Sequence, residues 1–139
     1  MESFASIKEN IKTQIDLISD EMKRIGFWND IANIRIDVEA YEESNLSLEN
    51  WIRYVYLEKL KIYIDSLDEN DLLPYKIGLI AFRNWDYMST VPKAENLINM
   101  LYKLEDEIID FVNLVPRDYI SEKIKWFIEA KKEKDIFKI

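Results

Sequence analysis

Carboxylates dominate the chemistry this chain can offer. Between Phe27 and Asp71 eleven acidic side chains stand against four basic ones, a local net of −7 within a whole-chain charge of −8. The sequence has no histidine and no cysteine. That removes the usual zinc sites, thiolate nucleophiles, imidazole acid–base pairs and Ser-His-Asp triads. The Glu-x-x-His ligands of di-iron helical bundles go with them. Gly26 and Gly78 are the two glycines, and neither stands in a GxGxxG or GxxxxGK(S/T) setting, so phosphate-cradling loops are unsupported. What remains is carboxylate-only hydrolysis, an all-oxygen divalent-ion site, or recognition without catalysis. The first two need several carboxylates to converge on one concave site. Recognition asks only for a charged face backed by aromatics, and no catalytic, metal or cofactor residue is assigned.

An acid-rich face repels phosphates, so nucleic acid is not the expected direct partner. A basic protein is, because complementary charge speeds encounter while buried aromatics hold the complex. Nucleases must be basic to hold their substrate, and small acidic immunity proteins occlude such toxins. The expected function is therefore an immunity-type, non-enzymatic binding module for a basic partner such as a nuclease toxin. Its candidate interface is Glu39, Tyr41, Glu42, Glu43, Tyr54, Asp65, Asp68 and Glu69. The alternatives are an accessory subunit of a cytoplasmic enzyme, for instance one that modifies RNA, a carboxylate-only enzyme or ion binder, and a face that merely keeps the protein solvated.

Five amphipathic segments must position these residues. At 139 residues, 48% hydrophobic and 33% charged, the chain reads as one all-α domain, a bundle of four to five helices over residues 1–139. Phe4, Ile7, Ile11, Ile15, Ile18, Met22 and Ile25 recur at three-four spacing. They predict a helix over about 4–25, with Ser3 as N-cap and Gly26 as a left-handed C-terminal cap. Residues 26–47 read as a long ordered connection laying Phe27, Trp28 and Ile34 over the bundle. Within it the alternation of Ile34, Ile36 and Val38 is strand-like but lacks an obvious partner.

Ser47 is placed to cap a helix over about 48–66 that contains WIRYVYLEKLKIYI. At about 100° per residue, Trp51, Ile52, Val55, Tyr56, Leu60, Ile62 and Tyr63 share an apolar arc centred near Leu48, and Leu57 and Ile64 widen it, which predicts a central helix. Tyr54 falls outside that arc and is the aromatic expected to be shown. Lys59 projects from within it and must snorkel or find a carboxylate. A short buried helix is expected over about 75–88, and one over about 92–113 with Ser89 or Thr90 as N-cap and Pro92 in its first turn. Val115-Pro116 should end it before a last helix over about 117–134 with Ile120, Ile124, Phe127 and Ile128 inward. No apolar run approaches the roughly 20 residues that span a bilayer, and MESFASIKEN lacks the order of a signal peptide, which together predict a cytoplasmic protein.

The order W-I-R-Y-V-Y-L-E-K-L from Trp51, L-P at Leu73-Pro74, I-A-F from Ile80, and a proline-started helix ending L-E-D-E-I-I-D-F resembles the YqcC-like family of small bacterial proteins over roughly residues 7–111. The resemblance implies an all-helical bundle and no catalytic residues. It also places Lys59 at a basic family position, which suggests a structural ion pair.

Overall fold

A computed structural model describes residues 3–31, 39–87 and 91–136. They form an all-α bundle of five helices, with no strand among the described residues. Helix α1 is Phe4–Arg24. Helix α2 covers 48–66 in three parts, an α-helical Leu48–Trp51, a π-helical Ile52–Tyr56 and an α-helical Leu57–Ser66. Helix α3 covers 77–87, α-helical over Ile77–Phe82 and π-helical over Arg83–Tyr87. Helix α4 is Glu95–Leu114, entered through a 3-10 turn at Pro92–Ala94, and α5 is Glu122–Ile136. Among the described residues no helix is long and apolar enough to cross a membrane.

The ends of α1 are as its residues dictate. Ser6 N–H donates to Ser3 Oγ at 3.1 Å, satisfying one of the amides a helix start leaves free. At the other end Gly26 takes φ 82, Gly26 N donates to the Lys23 carbonyl and Phe27 N to that of Met22. This is the paired closure that a left-handed residue permits. The Ile7 to Ile25 stripe is buried, and Phe4 stacks on Phe111 at 4.6 Å. At about 1.5–3 kcal/mol for each buried aliphatic side chain, the stripe anchors α1 far more strongly than its caps do.

Helix α4 is the one that runs along α1, α3 and α5. Its stripe of Ala94, Leu97, Ile98, Leu101, Leu104, Ile108, Phe111 and Val112 is wholly buried. Gly78 sets the approach of α3. A Cβ there would lie 2.5 Å from Tyr102 Cγ and 2.9 Å from Tyr102 Cα, so only glycine admits this crossing. The same closeness lets Glu105 of α4 accept a hydrogen bond from Gly78 N at 3.2 Å. It thereby serves the first turn of α3, which has no capping side chain of its own. Burial pushes the Glu105 carboxyl up to about 6 despite that bond.

Helix α2 buries Trp51, Ile52, Val55, Tyr56, Leu60 and Tyr63 as expected, together with Leu57 and Ile64 that widen its apolar arc, but it leaves Ile62 52% exposed. Leu57 N donates to Ile52 O across the π segment. One additional residue in that turn makes every later position lag by about 100°, which turns Ile62 out. Ser47 occupies the N-cap position, yet its hydroxyl makes no capping bond. Only its carbonyl is used, accepting from Trp51 N.

One helix boundary differs from the sequence expectation. The last helix starts at Glu122, later than residue 117, because Ser121 caps it: Ile124 N donates to Ser121 Oγ at 3.2 Å. Ile120 therefore lies before the helix and is exposed, while Ile124 and Phe127 are buried and Ile128 is half-buried. Of the long connection, Phe27 and Trp28 pack against the core, Phe27 meeting Trp85 at 5.0 Å. Ile34, the Ile34 to Val38 alternation and the Ser89 and Thr90 caps lie outside the described residues.

Candidate functional site

The candidate residues begin on an arm that precedes α2, where Tyr41–Glu43 form a 3-10 turn. The arm is tied down at successive residues. The Trp51 indole donates to the Glu39 carbonyl at 2.9 Å, and Tyr41 N donates to the Tyr75 hydroxyl at 3.1 Å. That hydroxyl in turn donates to Glu42 Oε2 at 3.1 Å. The Tyr41 hydroxyl reaches Asn84 Oδ1 at 3.2 Å. Beneath the arm, Trp51 meets Tyr75, Tyr56 and Tyr41 with ring centroids 5.0, 5.5 and 5.6 Å away. Burial, followed by the neighbouring Glu49 and Glu42 charges, raises the Tyr41 hydroxyl above its ordinary range. Burial likewise leads the causes that raise Tyr75. Both hydroxyls therefore remain donors at neutral pH. Glu42 and Glu43 project exposed from this platform.

Lys59 connects the arm to the second acidic turn. Its ammonium lies 3.5 Å from Glu39 Oε2 and 3.4 Å from Asp71 Oδ1, the carboxylate partners its position on an apolar helix demands. Asp71 closes the 3-10 turn Glu69–Asp71, which Asp68 caps by accepting from Asn70 N at 3.0 Å. Glu69 offers its carbonyl to Lys123 of α5 at 2.7 Å. Glu39, Glu42 and Glu43 thus share one arm, and Asp68 and Glu69 share a turn joined to it through Lys59 and Asp71.

The other two candidates sit elsewhere. Asp65 faces α1, with Lys8 at 3.1 Å and Lys12 at 3.6 Å. The Lys8 hydrogen bond, followed by the Lys12 charge, holds its carboxyl below the ordinary range. Tyr54 is half-buried; its hydroxyl donates to the Asn29 carbonyl at 3.1 Å and accepts from Ile31 N at 3.0 Å. The Arg53 guanidinium covers its ring at 4.7 Å.

Sequence reasoning passed over Tyr75, Asn84 and Asp71, the residues that hold the arm and the turn in place. The signal for Tyr75 was its position directly after Leu73-Pro74, where the chain turns toward α3. Nothing in the spacing could announce Asn84, which meets Tyr41 across more than forty residues. Among the described residues no group of three or more acids is gathered closely enough to hold a metal ion. Searches of the chain against protein-family models, curated proteins and solved structures find no match.

Proposed function

We propose that this chain is a non-enzymatic binding module whose acidic arm and adjoining turn dock a basic protein, in the manner of an immunity-type inhibitor that occludes a nuclease toxin. One observation supports it above the others: Glu42 and Glu43 are exposed on an arm pinned by Trp51, Tyr75 and Asn84. Carboxylates held on a rigid support lose little freedom on binding, so their attraction is not spent on ordering the loop. A cytoplasmic location and a YqcC-like kinship accompany this reading as parts of the proposal. The same docking surface would suit an accessory subunit of a cytoplasmic enzyme.

The test compares wild-type protein with the Glu42→Lys, Glu43→Lys, Asp68→Lys, Glu69→Lys variant as bait in native lysate, at low and at moderate salt. The expected result is one basic protein retained stoichiometrically by the wild type, inhibited by it, and released by the reversed variant, with the largest difference at low salt. Both baits should keep the same circular dichroism. Equal retention by the two baits removes the acidic surface from the function. A metabolic or RNA-modifying enzyme retained without inhibition replaces the inhibitor with the accessory-subunit reading.

A further inference from the structure

Where α2 ends, a leucine occupies a position that favours glycine. Leu67 has φ 59, in the left-handed region that a Cβ disfavours, and its side chain is still 39% exposed. The core therefore gains little from it. Together with Tyr63, Val115, Pro116, Tyr119 and Ile124 it lines a cleft of about 340 Å³. Tyr119 is 67% exposed. Apolar exposure gathered in one place, unlike single exposed residues, marks a binding surface.

Among the charged residues that line this cleft, acids outnumber bases three to one, Asp68, Glu69 and Asp118 against Arg117. Asp68, Glu69 and Asp118 contribute to its lining, and among the described residues none of the three is ion-paired. Arg117 and the neighbouring Lys123 keep their charge but direct their donors onto backbone. The Arg117 guanidinium donates to the Val112 carbonyl at the end of α4, and Lys123 Nζ donates to the Glu69 carbonyl at 2.7 Å. The cleft presents an apolar floor and a rim that is net anionic.

We infer that this cleft receives a protein segment in which one large apolar side chain is flanked by lysine or arginine. The segment is supplied by the basic partner, so the inference rests on the function proposed above and adds the partner's anchoring chemistry to it. The apolar side chain sits against Leu67 and Tyr119 while the flanking cations meet Asp68, Glu69 and Asp118. A phosphate-bearing ligand meets repulsion at the same rim.

The test titrates the full ¹⁵N-labelled chain with the synthetic peptide Lys-Lys-Leu-Trp-Lys-Lys and, separately, with hexalysine. The first peptide is expected to give saturable amide shifts over 67–69 and 115–124. Its affinity should fall by about tenfold, the loss of one anchor contact, in Leu67→Gly and in Tyr119→Ser. Both variants should stay folded, since glycine suits φ 59 and Tyr119 is a surface residue. Equal shifts at the cleft with hexalysine overturn the inference, because charge alone then accounts for them. Concentration-dependent shifts at the cleft without peptide also overturn it, by making a second copy of the chain the occupant. Shifts centred on 39–43 overturn the cleft while leaving the proposed basic-partner function intact. No shift with either peptide overturns the cleft, and the charge-reversal capture then decides separately whether the acidic arm binds anything.

Discussion

Replacing Trp51 tests whether the aromatic platform supports both the fold and the arm above it. The side chain is 0% exposed, its ring touches Tyr41, Tyr56 and Tyr75, and its indole N–H is spent on the Glu39 carbonyl. Truncating a buried tryptophan to alanine costs about 3–5 kcal/mol. The carbonyl that loses its donor moves the expectation to the upper end of that range, about 4–5 kcal/mol. Because that is a large share of the ~5–15 kcal/mol by which such domains are stable, Trp51→Phe is the more informative variant. It keeps most of the packing but loses the N–H and part of the ring, for an expected cost of about 1.5–3 kcal/mol. Urea unfolding followed by circular dichroism gives this number. Amide exchange then separates the two roles: the amides over 41–44 should exchange faster in Trp51→Phe by more than the global loss explains, while those of α1 and α4 slow or quicken only with global stability. A Trp51→Phe variant within about 0.5 kcal/mol of wild type, the range of ordinary surface substitutions, would refute the reasoning that this residue joins core to arm.

Glu105 gives the chain a pH dependence. Its carboxyl is raised to about 6 from an ordinary 4.5, so between these values the folded state keeps a proton that the unfolded state has released. Stability should fall by about 1 kcal/mol as pH rises through that window, after allowance for solvent screening, and level off above it. Glu105→Gln, which keeps an acceptor for Gly78 N, should flatten that part of the profile when urea midpoints are compared from pH 4.5 to 7. Gly78→Ala should cost about 1–3 kcal/mol, since the new methyl meets Tyr102 backbone as well as its ring; an unchanged melting temperature would show that α3 and α4 can separate freely. Asp110 is held between Lys131 at 2.7 Å and Lys134 at 2.8 Å. Asp110→Asn should therefore loosen α5 first, by about 1–2 kcal/mol, read as faster amide exchange over 124–134.

Much of the architecture was legible because it rests on period. The stripes of α1 and α4 hold a three-four spacing up to a Gly or Pro stop, and the structure buries Ile7 to Ile25 and Ala94 to Val112 along them. In α2 the stripe was read with a constant turn, and the π segment makes the turn inconstant. Trp51 and Val55 precede the shift or fall within it and keep their places; Ile62 follows it and is turned out of the arc. Lys59 was moved from the middle of the arc to its edge, where Asp71 and Glu39 can reach it. Nothing in IRYVY distinguishes a π turn from an α turn, because the choice is made by what packs against it. The last helix shows a different kind of miss. Ser121 followed by Glu122 is a readable start, but Arg117 directly after Pro116 offered an earlier one. In the candidate site the acids of the arm were visible as charge, whereas their grouping depends on hydrogen bonds across long separations, Tyr41 to Asn84 and Glu69 to Lys123, that no local pattern encodes.

The hydroxyl of Tyr54 has a bearing on how the chain leaving α1 is held. By donating to the Asn29 carbonyl and accepting from Ile31 N, it meets the groups on either side of Asp30 as one residue of a neighbouring parallel strand would. A single helical side chain thus satisfies two backbone groups that no secondary structure pairs. The aromatic that its helical angle marked for display thereby ties the start of the long connection to α2, and Tyr54→Phe should speed amide exchange at Ile31.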